Sequence, residues 1–298
     1  MRTRSALKIA VAVCMLAPAS WAAERFAPGV THLQSYRWHI RAPWFGGLSG
    51  LEVSDDGAGF TVLNDKAQFF KARIARDSDG RIDTVAAQPP VHLRAPDGKP
   101  LSSRLDDTEG LAIAADGTIF VSLESPPSAL HYTAPSARAT ALPRPRAFWH
   151  ARRNKSFEAL AISPDGALVM LSELPAVPRD PLRVWVWNGA VWASTFNYPQ
   201  TQGFMPVGAD FGPDGRLYVL ERSFASIGFR SRLRRFNWGA GQLSGATTLL
   251  ETSVATHDNL EAVSIWRDSQ GSLRATMISD DNFLWIQRTE IVEYQLPD

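Results

Sequence analysis

Five acidic residues stand at nearly even intervals along this 298-residue chain: Glu52, Glu109, Glu158, Asp210 and Glu261, separated by 57, 49, 52 and 51 positions. Each is followed, after a short apolar stretch and a glycine-containing turn, by a second acid: Asp65, Glu124, Glu173, Glu221 and Asp280. Carboxylates brought within a few ångströms of one another cannot all stay ionised unless a cation sits among them. Oxygen-only ligands of irregular geometry suit calcium, and Asn282 adds an amide oxygen beside Asp280. A bound ion of this kind polarises a phosphoryl or carbonyl oxygen or activates water. A carboxyl whose pKa is raised by its neighbours acts as general acid or base. The first five acids are therefore the candidate catalytic residues, and the second five with Asn282 the candidate calcium ligands. Lys66, Arg104, Lys155 and Arg222 lie beside these acids and are the candidate substrate-binding cations, since a phosphate needs more positive charge than one metal supplies.

A structural role competes at every one of these positions. Acids at strand ends cap backbone N–H groups or pair with arginines of a neighbouring unit, and Arg222 can pair with Glu221 or with an acid elsewhere. Other chemistries have less support. Ser49 lies in Gly47-Leu48-Ser49-Gly50, which does not satisfy the G-x-S-x-G nucleophile pattern, and reads as a tight turn. The six histidines never take H-E-x-x-H spacing, which excludes that zinc protease class. His257, followed by Asp258, Asn259 and Glu261, reads as a loop histidine ahead of a general base. Asp280-Asp281-Asn282 suits either a cation or Asx-turn chemistry. No glycine-rich phosphate loop precedes a helix, so no nucleotide or organic cofactor is expected.

The elements that must carry these residues repeat with them. Asp-Gly between two β-rich runs occurs at Asp56-Gly57, Asp116-Gly117, Asp165-Gly166 and Asp214-Gly215, with Gln270-Gly271 in a longer fifth turn. This is the sequence of a β-hairpin, expected as a type I′ turn with positive φ at both central residues. Further strand-like pieces lie between the hairpins, so each unit of about 50 residues has the size of a four-stranded propeller blade. The expected fold is an all-β propeller of five blades, or six if one blade opens without the motif. Thr289 to Leu296 and Thr31 to Ile40 are expected to close the ring. Trp185, Trp192 and Trp187 read as blade core. Arg230 to Arg235 (RSRLRR) reads as a strand with alternating solvated arginines.

The N-terminus has the three-part layout of a secretory signal peptide: Arg2, Arg4 and Lys8, an apolar run from Ile9 to Ala17, and Ser20-Trp21-Ala22. Cleavage after Ala22 leaves 276 residues, 23–298, as a single propeller domain without the lone Cys14. It also turns 31 cationic against 30 anionic side chains into 28 against 30, a net charge of −2. A periplasmic or extracellular monomer is expected, with no membrane span, because the apolar run is far short of the roughly 20 residues that cross a bilayer. Balanced charge argues against nucleic acid as a partner.

The pieces DTEGLAIAADG (107–117) with Glu124, NKSFEALAISPDG (154–166) with Glu173, LERSF (220–224) and SDDNF (279–283) resemble the secreted bacterial phytase-like family, also described as "esterase-like activity of phytase". The resemblance runs from about Gly46 to Tyr294, and the chain departs from it at the fourth repeat, where Asp210 stands in place of Glu. It implies repeated Glu and Asp residues and hydrolysis of a phosphoester or ester. The leading expectation is a metal-assisted hydrolase. The alternatives are a non-catalytic propeller that binds a ligand or protein around structural calcium, and a lactonase-like propeller with one calcium on the channel axis.

Overall fold

The computed structural model describes residues 24–101, 107–146, 148, 157–175, 180–201, 203–225, 227–239 and 242–298. The expected signal peptide, residues 1–22, lies outside the described residues. Two strands precede the blades, β1 (Arg25–Phe26) and β2 (Thr31–Arg37). Blade 1 consists of β3 (Leu48–Val53), β4 (Gly59–Asn64), β5 (Gln68–Arg76) and β6 (Ile82–Ala87), with β7 (Val91–His92) paired to β5. Blade 2 is β8 (Thr108–Ile113), β9 (Ile119–Leu123), β10 (Ser128–Tyr132) and β11 (Thr140–Ala141). Blade 3 is β12 (Phe157–Ile162), β13 (Leu168–Ser172), β14 (Arg183–Trp187) and β15 (Trp192–Asn197). Blade 4 is β16 (Met205–Phe211), β17 (Leu217–Ala225), β18 (Gly228–Gly239) and β19 (Gln242–Glu251), extended at its outer edge by β1. Blade 5 is β20 (Leu260–Arg267), β21 (Leu273–Ser279) and β22 (Glu290–Leu296), completed by β2.

The first strand of each blade touches the first strand of the next, from β3 through β8, β12, β16 and β20 back to β3. Five antiparallel blades thus close into a propeller, and the N-terminal β2, paired outside β22, ties the two ends of the ring together. Each seam between neighbouring blades holds its own apolar cluster. One is Leu63, Phe69, Leu111 and Val121 between blades 1 and 2, and another is Leu220, Leu233, Leu260 and Met277 between blades 4 and 5. A blade exposes an apolar face on both sides, so burial requires both neighbours. Trp185, Trp187 and Trp192 lie in the seam between blades 2 and 3, around Phe148.

Two local expectations are corrected. The Asp-Gly turns are not type I′: Gly117 (φ 86°) and Gly166 (φ 82°) are left-handed, whereas Asp116 and Asp165 are not. In each, the glycine N–H donates back three residues, as Gly117 N to Ala114 O does at 2.8 Å. The carboxylates of Asp56, Asp116 and Asp214 accept a backbone N–H two residues on, Thr118 N to Asp116 at 2.9 Å, whereas Asp165 accepts the Ser163 hydroxyl and Ala167 N donates to Ser163 Oγ. The fifth turn, closed by Gly271 N to Asp268 O, has the same form. Second, Arg232 and Arg234 of β18 are buried instead of solvated: both meet Glu221, and their guanidinium groups lie over Phe204 and Phe236. A desolvated carboxylate next to aromatic faces makes this burial tolerable.

Candidate functional site

The same irregularity recurs in all five innermost strands. The pairing register slips between Leu48 and Gly50, Thr108 and Leu111, Phe157 and Ala159, Pro206 and Gly208, and Leu260 and Ala262. A β-bulge re-aims the side chain of the extra residue. The bulged residues are Ser49, Glu109, Glu158, Val207 and Glu261, so three of the five blades turn a glutamate into one mouth of the channel. Just beyond each bulge stand Gly50, Gly110, Ala159, Gly208 and Ala262. Here the strands approach so closely that a Cβ on Gly110 would lie 2.8 Å from Glu158 O, and one on Gly208 2.7 Å from Glu261 O. The channel is consequently pinched to a void of about 10 Å³, which is at the limit of holding one water. Two separate mouths remain.

The expected single ring of five leading acids is therefore split. Glu109, Glu158 and Glu261 share the upper mouth. Glu52 and Asp210 stand three residues past the bulges of β3 and β16, at the opposite end. There each carboxylate accepts a backbone N–H from the next blade, Ile113 N to Glu52 at 3.1 Å and Ile265 N to Asp210 at 2.6 Å. Ser264, at the same position of blade 5, accepts Val53 N at 3.0 Å. Burial raises the pKa of Glu52 well above the glutamate range, helped by Asp210, and burial pushes Asp210 up to about 7. These two acids border a depression of about 560 Å³ that includes Ile162, Phe211 and Trp266.

The second acids divide as well. Asp65, Glu124, Glu173 and Asp280 directly follow the last paired residues of β4, β9, β13 and β21, level with the bulges. Glu221 occupies the preceding place in β17, paired with Pro206, and points away from the mouth to Arg232 (2.5 Å) and the Tyr198 hydroxyl (2.8 Å). The residue in register with the other four is Arg222. Its guanidinium donates to Asn259 Oδ1 at 2.7 Å and Glu173 at 3.2 Å, bonds Glu261, and lies 3.8 Å from Glu158. Burial opposes its charge, and the carboxylates of Glu261, Glu158 and Glu173 more than offset that, so its pKa ends above the ordinary arginine value.

Under blade 2 the mouth is arranged differently. Carboxylate oxygens of Asp107, Glu109 and Glu124 lie within 4.8 Å of one another, all-oxygen donors of the kind a divalent cation takes. Burial raises the pKa of Glu109 well above normal, and Glu158, Glu261, Glu124 and Asp107 push it further. Glu158 is also raised well above normal, first by burial and against the pull of Arg222, and it shares a hydrogen bond with Glu173. Asp280 is pushed up to about 8 by burial and by Glu261. Lys66 reaches the rim of this mouth, its ammonium 3.0 Å from the centre of the Phe283 ring. Arg104 and Lys155 lie outside the described residues.

Three other candidates have local partners. Asn282 forms part of a surface turn: its backbone N–H donates to Asp280 at 2.7 Å and its side chain to Gln287 at 3.1 Å. Ser49 Oγ donates to Thr108 O at 2.8 Å, binding blade 1 to blade 2. His257 is buried against the Tyr294 hydroxyl (2.7 Å), and burial lowers its pKa to about 4. Asp107 and Asn259 reach the upper mouth without having been singled out as ligands by repeat position. Their signal in the sequence is nearness to a bulged glutamate, two residues before Glu109 and Glu261.

The fold and this mouth define a class: a five-bladed propeller whose inner strands turn acids toward one face. Residues 43–283 match the phytase-like family, described as esterase-like activity of phytase, and the chain belongs to that family. No curated protein matches it in sequence. Solved structures of similar outline include a gluconolactonase from Xanthomonas campestris, 13% identical over 84% of this chain and 72% of that one, with a TM-score of 0.47. Another is the PQQ-bound aldose sugar dehydrogenase of Streptomyces coelicolor, 12% identical over 90% and 98%, also at 0.47. A third is virginiamycin B lyase from Staphylococcus aureus, 12% identical over 90% and 100%, at 0.41. Identities and scores this low leave the activity to be read from the chain's own residues.

Proposed function

We propose that this protein is a secreted, metal-assisted hydrolase of phosphoesters or related esters, acting at the upper mouth. The observation that carries the reading is the convergence of Asp107, Glu109 and Glu124 next to Glu158. The donor set fits a hard divalent cation such as calcium: oxygens only, and partly open to solvent. When bound, such an ion supplies positive charge to the phosphoryl or carbonyl oxygen of the substrate. Lys66 stands at the rim to hold an anionic group. Glu158, whose pKa burial raises well above normal against the pull of Arg222 and which shares a hydrogen bond with Glu173, is placed to protonate the departing oxygen. Arg222 holds Glu158 and Glu261 in position.

The test is turnover by the mature chain of a chromogenic phosphomonoester, phosphodiester and carboxylester. Hydrolysis of at least one, abolished by a chelator and restored by calcium, is expected. No turnover of any of the three with calcium present would overturn the proposal.

A second reading, a ligand- or protein-binding propeller, is favoured by the rim itself. Phe224, Ile227, Leu284, Trp285 and Ile286 are exposed, Trp285 at 94%, and apolar clusters at a surface mark binding sites. The lactonase-like arrangement has less support, because Glu158, Glu261 and Asn259, the Glu and Asn of different blades that an axial ion would use, are engaged with Arg222.

A further inference from the structure

The fourth blade breaks the pattern of the upper mouth in both of its positions. Where blades 2, 3 and 5 turn a glutamate inward from the bulge, blade 4 has Val207. Where the other four blades follow the second strand with an acid, blade 4 has Arg222. These two changes act together: one removes a negative charge and the other adds a positive one at the same place in the ring. The guanidinium reaches acids of blade 3 (Glu158, Glu173) and blade 5 (Glu261), and also the amide oxygen of Asn259. Three carboxylates and an amide oxygen around one cation resemble the oxygen shell of a divalent ion. A planar guanidinium with five donors can satisfy several of them at once, which a lysine ammonium does less well.

From this arrangement we infer that Arg222 is a tethered cation standing in for a metal ion among Glu158, Glu173 and Glu261. It neutralises the blade 3 to blade 5 side of the mouth permanently and confines any exchangeable divalent ion to the Asp107, Glu109 and Glu124 side. Both terminal nitrogens of Arg222 bond the protein's own oxygens, so it is a positioning residue and not the anion-binding cation that its place in the sequence suggests. The inference concerns the same mouth as the proposed function and deepens it, but it does not depend on hydrolysis.

The test is thermal unfolding of wild type, Arg222→Gln and Arg222→Lys, each in chelator and in excess calcium chloride, with calcium titration calorimetry alongside. In chelator, Arg222→Gln should lower Tm by roughly 5–15 °C, since the carboxylates lose their shared cation. Calcium should restore most of that loss and raise the Tm of Arg222→Gln far more than that of wild type, with one additional calcium site in the titration. Arg222→Lys should fall between the two. A calcium response of Arg222→Gln equal to that of wild type would overturn the inference. If Arg222→Gln shows no cooperative unfolding in either buffer, the comparison is read on Arg222→Lys, where an equal calcium response has the same meaning. A wild type that neither binds calcium nor hydrolyses any ester ends the proposed function, whereas these variants judge Arg222 by itself.

Discussion

The two mouths of the channel are built from the same five strands, three residues apart, and use carboxylates for different purposes. At the lower mouth Glu52 and Asp210 are spent on the fold, each receiving a backbone N–H of the next blade. At the upper mouth Glu109, Glu158 and Glu261 sit on β-bulges, where the ladder is interrupted and the side chain is aimed off the sheet. Raised pKa values occur at both ends, so a perturbed carboxyl alone does not separate a working site from a structural one. The difference lies in what the oxygens face: peptide N–H groups below, and other carboxylates, Arg222 and solvent above.

The largest effect that would sharpen this contrast is on turnover. Glu109→Gln should reduce hydrolysis by about 10²–10⁴-fold, the range for loss of an acid–base or ligating group, whereas Glu52→Gln should leave it within a few-fold; steady-state rates on the best ester substrate decide. Equal losses in both variants would erase the distinction between the mouths.

Stability should show the reverse. Asp210→Ala strips the buried Ile265 N–H of its acceptor and should cost about 1–3 kcal/mol in urea unfolding. Asp210→Asn should cost less, because an amide oxygen still accepts. A neutral Asp210→Ala would show that the lower carboxylates do not join the blades.

The pH dependence is smaller. Asp210 titrates at about 7 in the folded chain against an ordinary 3.8, and Asp280 at about 8. A folded-state pKa above the unfolded one means that folding favours the protonated carboxyl. The contribution is complete below the unfolded value and is lost as pH rises through the folded value. In chelator, Tm should therefore fall between about pH 4 and pH 8 on account of these groups, and Asp210→Asn should flatten the part that ends near 7. A Tm that these groups make rise over that interval would contradict the assigned direction. The smallest effect is at the rim: Lys66→Met should raise KM for an anionic ester several-fold with little change in kcat and no change for a neutral ester.

The ring itself was legible in the sequence, because five Gly-containing turns with an acid before and after fix the number and size of the blades. Residue position within the blade was less so. Glu109 and Glu158 lie eight residues before their turn glycines, Gly117 and Gly166, whereas Glu52 and Asp210 lie five before Gly57 and Gly215. Counting back from the glycines would have separated the two mouths, and counting forward would have aligned Arg222, not Glu221, with Glu124 and Glu173. The bulges that turn Glu109, Glu158 and Glu261 inward have no such marker, since they depend on pairing with the second strand. Nor did alternation along Arg230 to Arg235 reveal burial, because the covering groups, Glu221, Phe204 and Tyr198, come from elsewhere in the chain.

The central claim, that the upper mouth is the functional one, is tested most directly by calcium titration calorimetry on wild type, Glu109→Gln and Glu52→Gln. The account predicts one site in wild type, an unchanged isotherm for Glu52→Gln and loss of binding for Glu109→Gln. No binding by wild type, or binding that survives Glu109→Gln and disappears in Glu52→Gln, would contradict it.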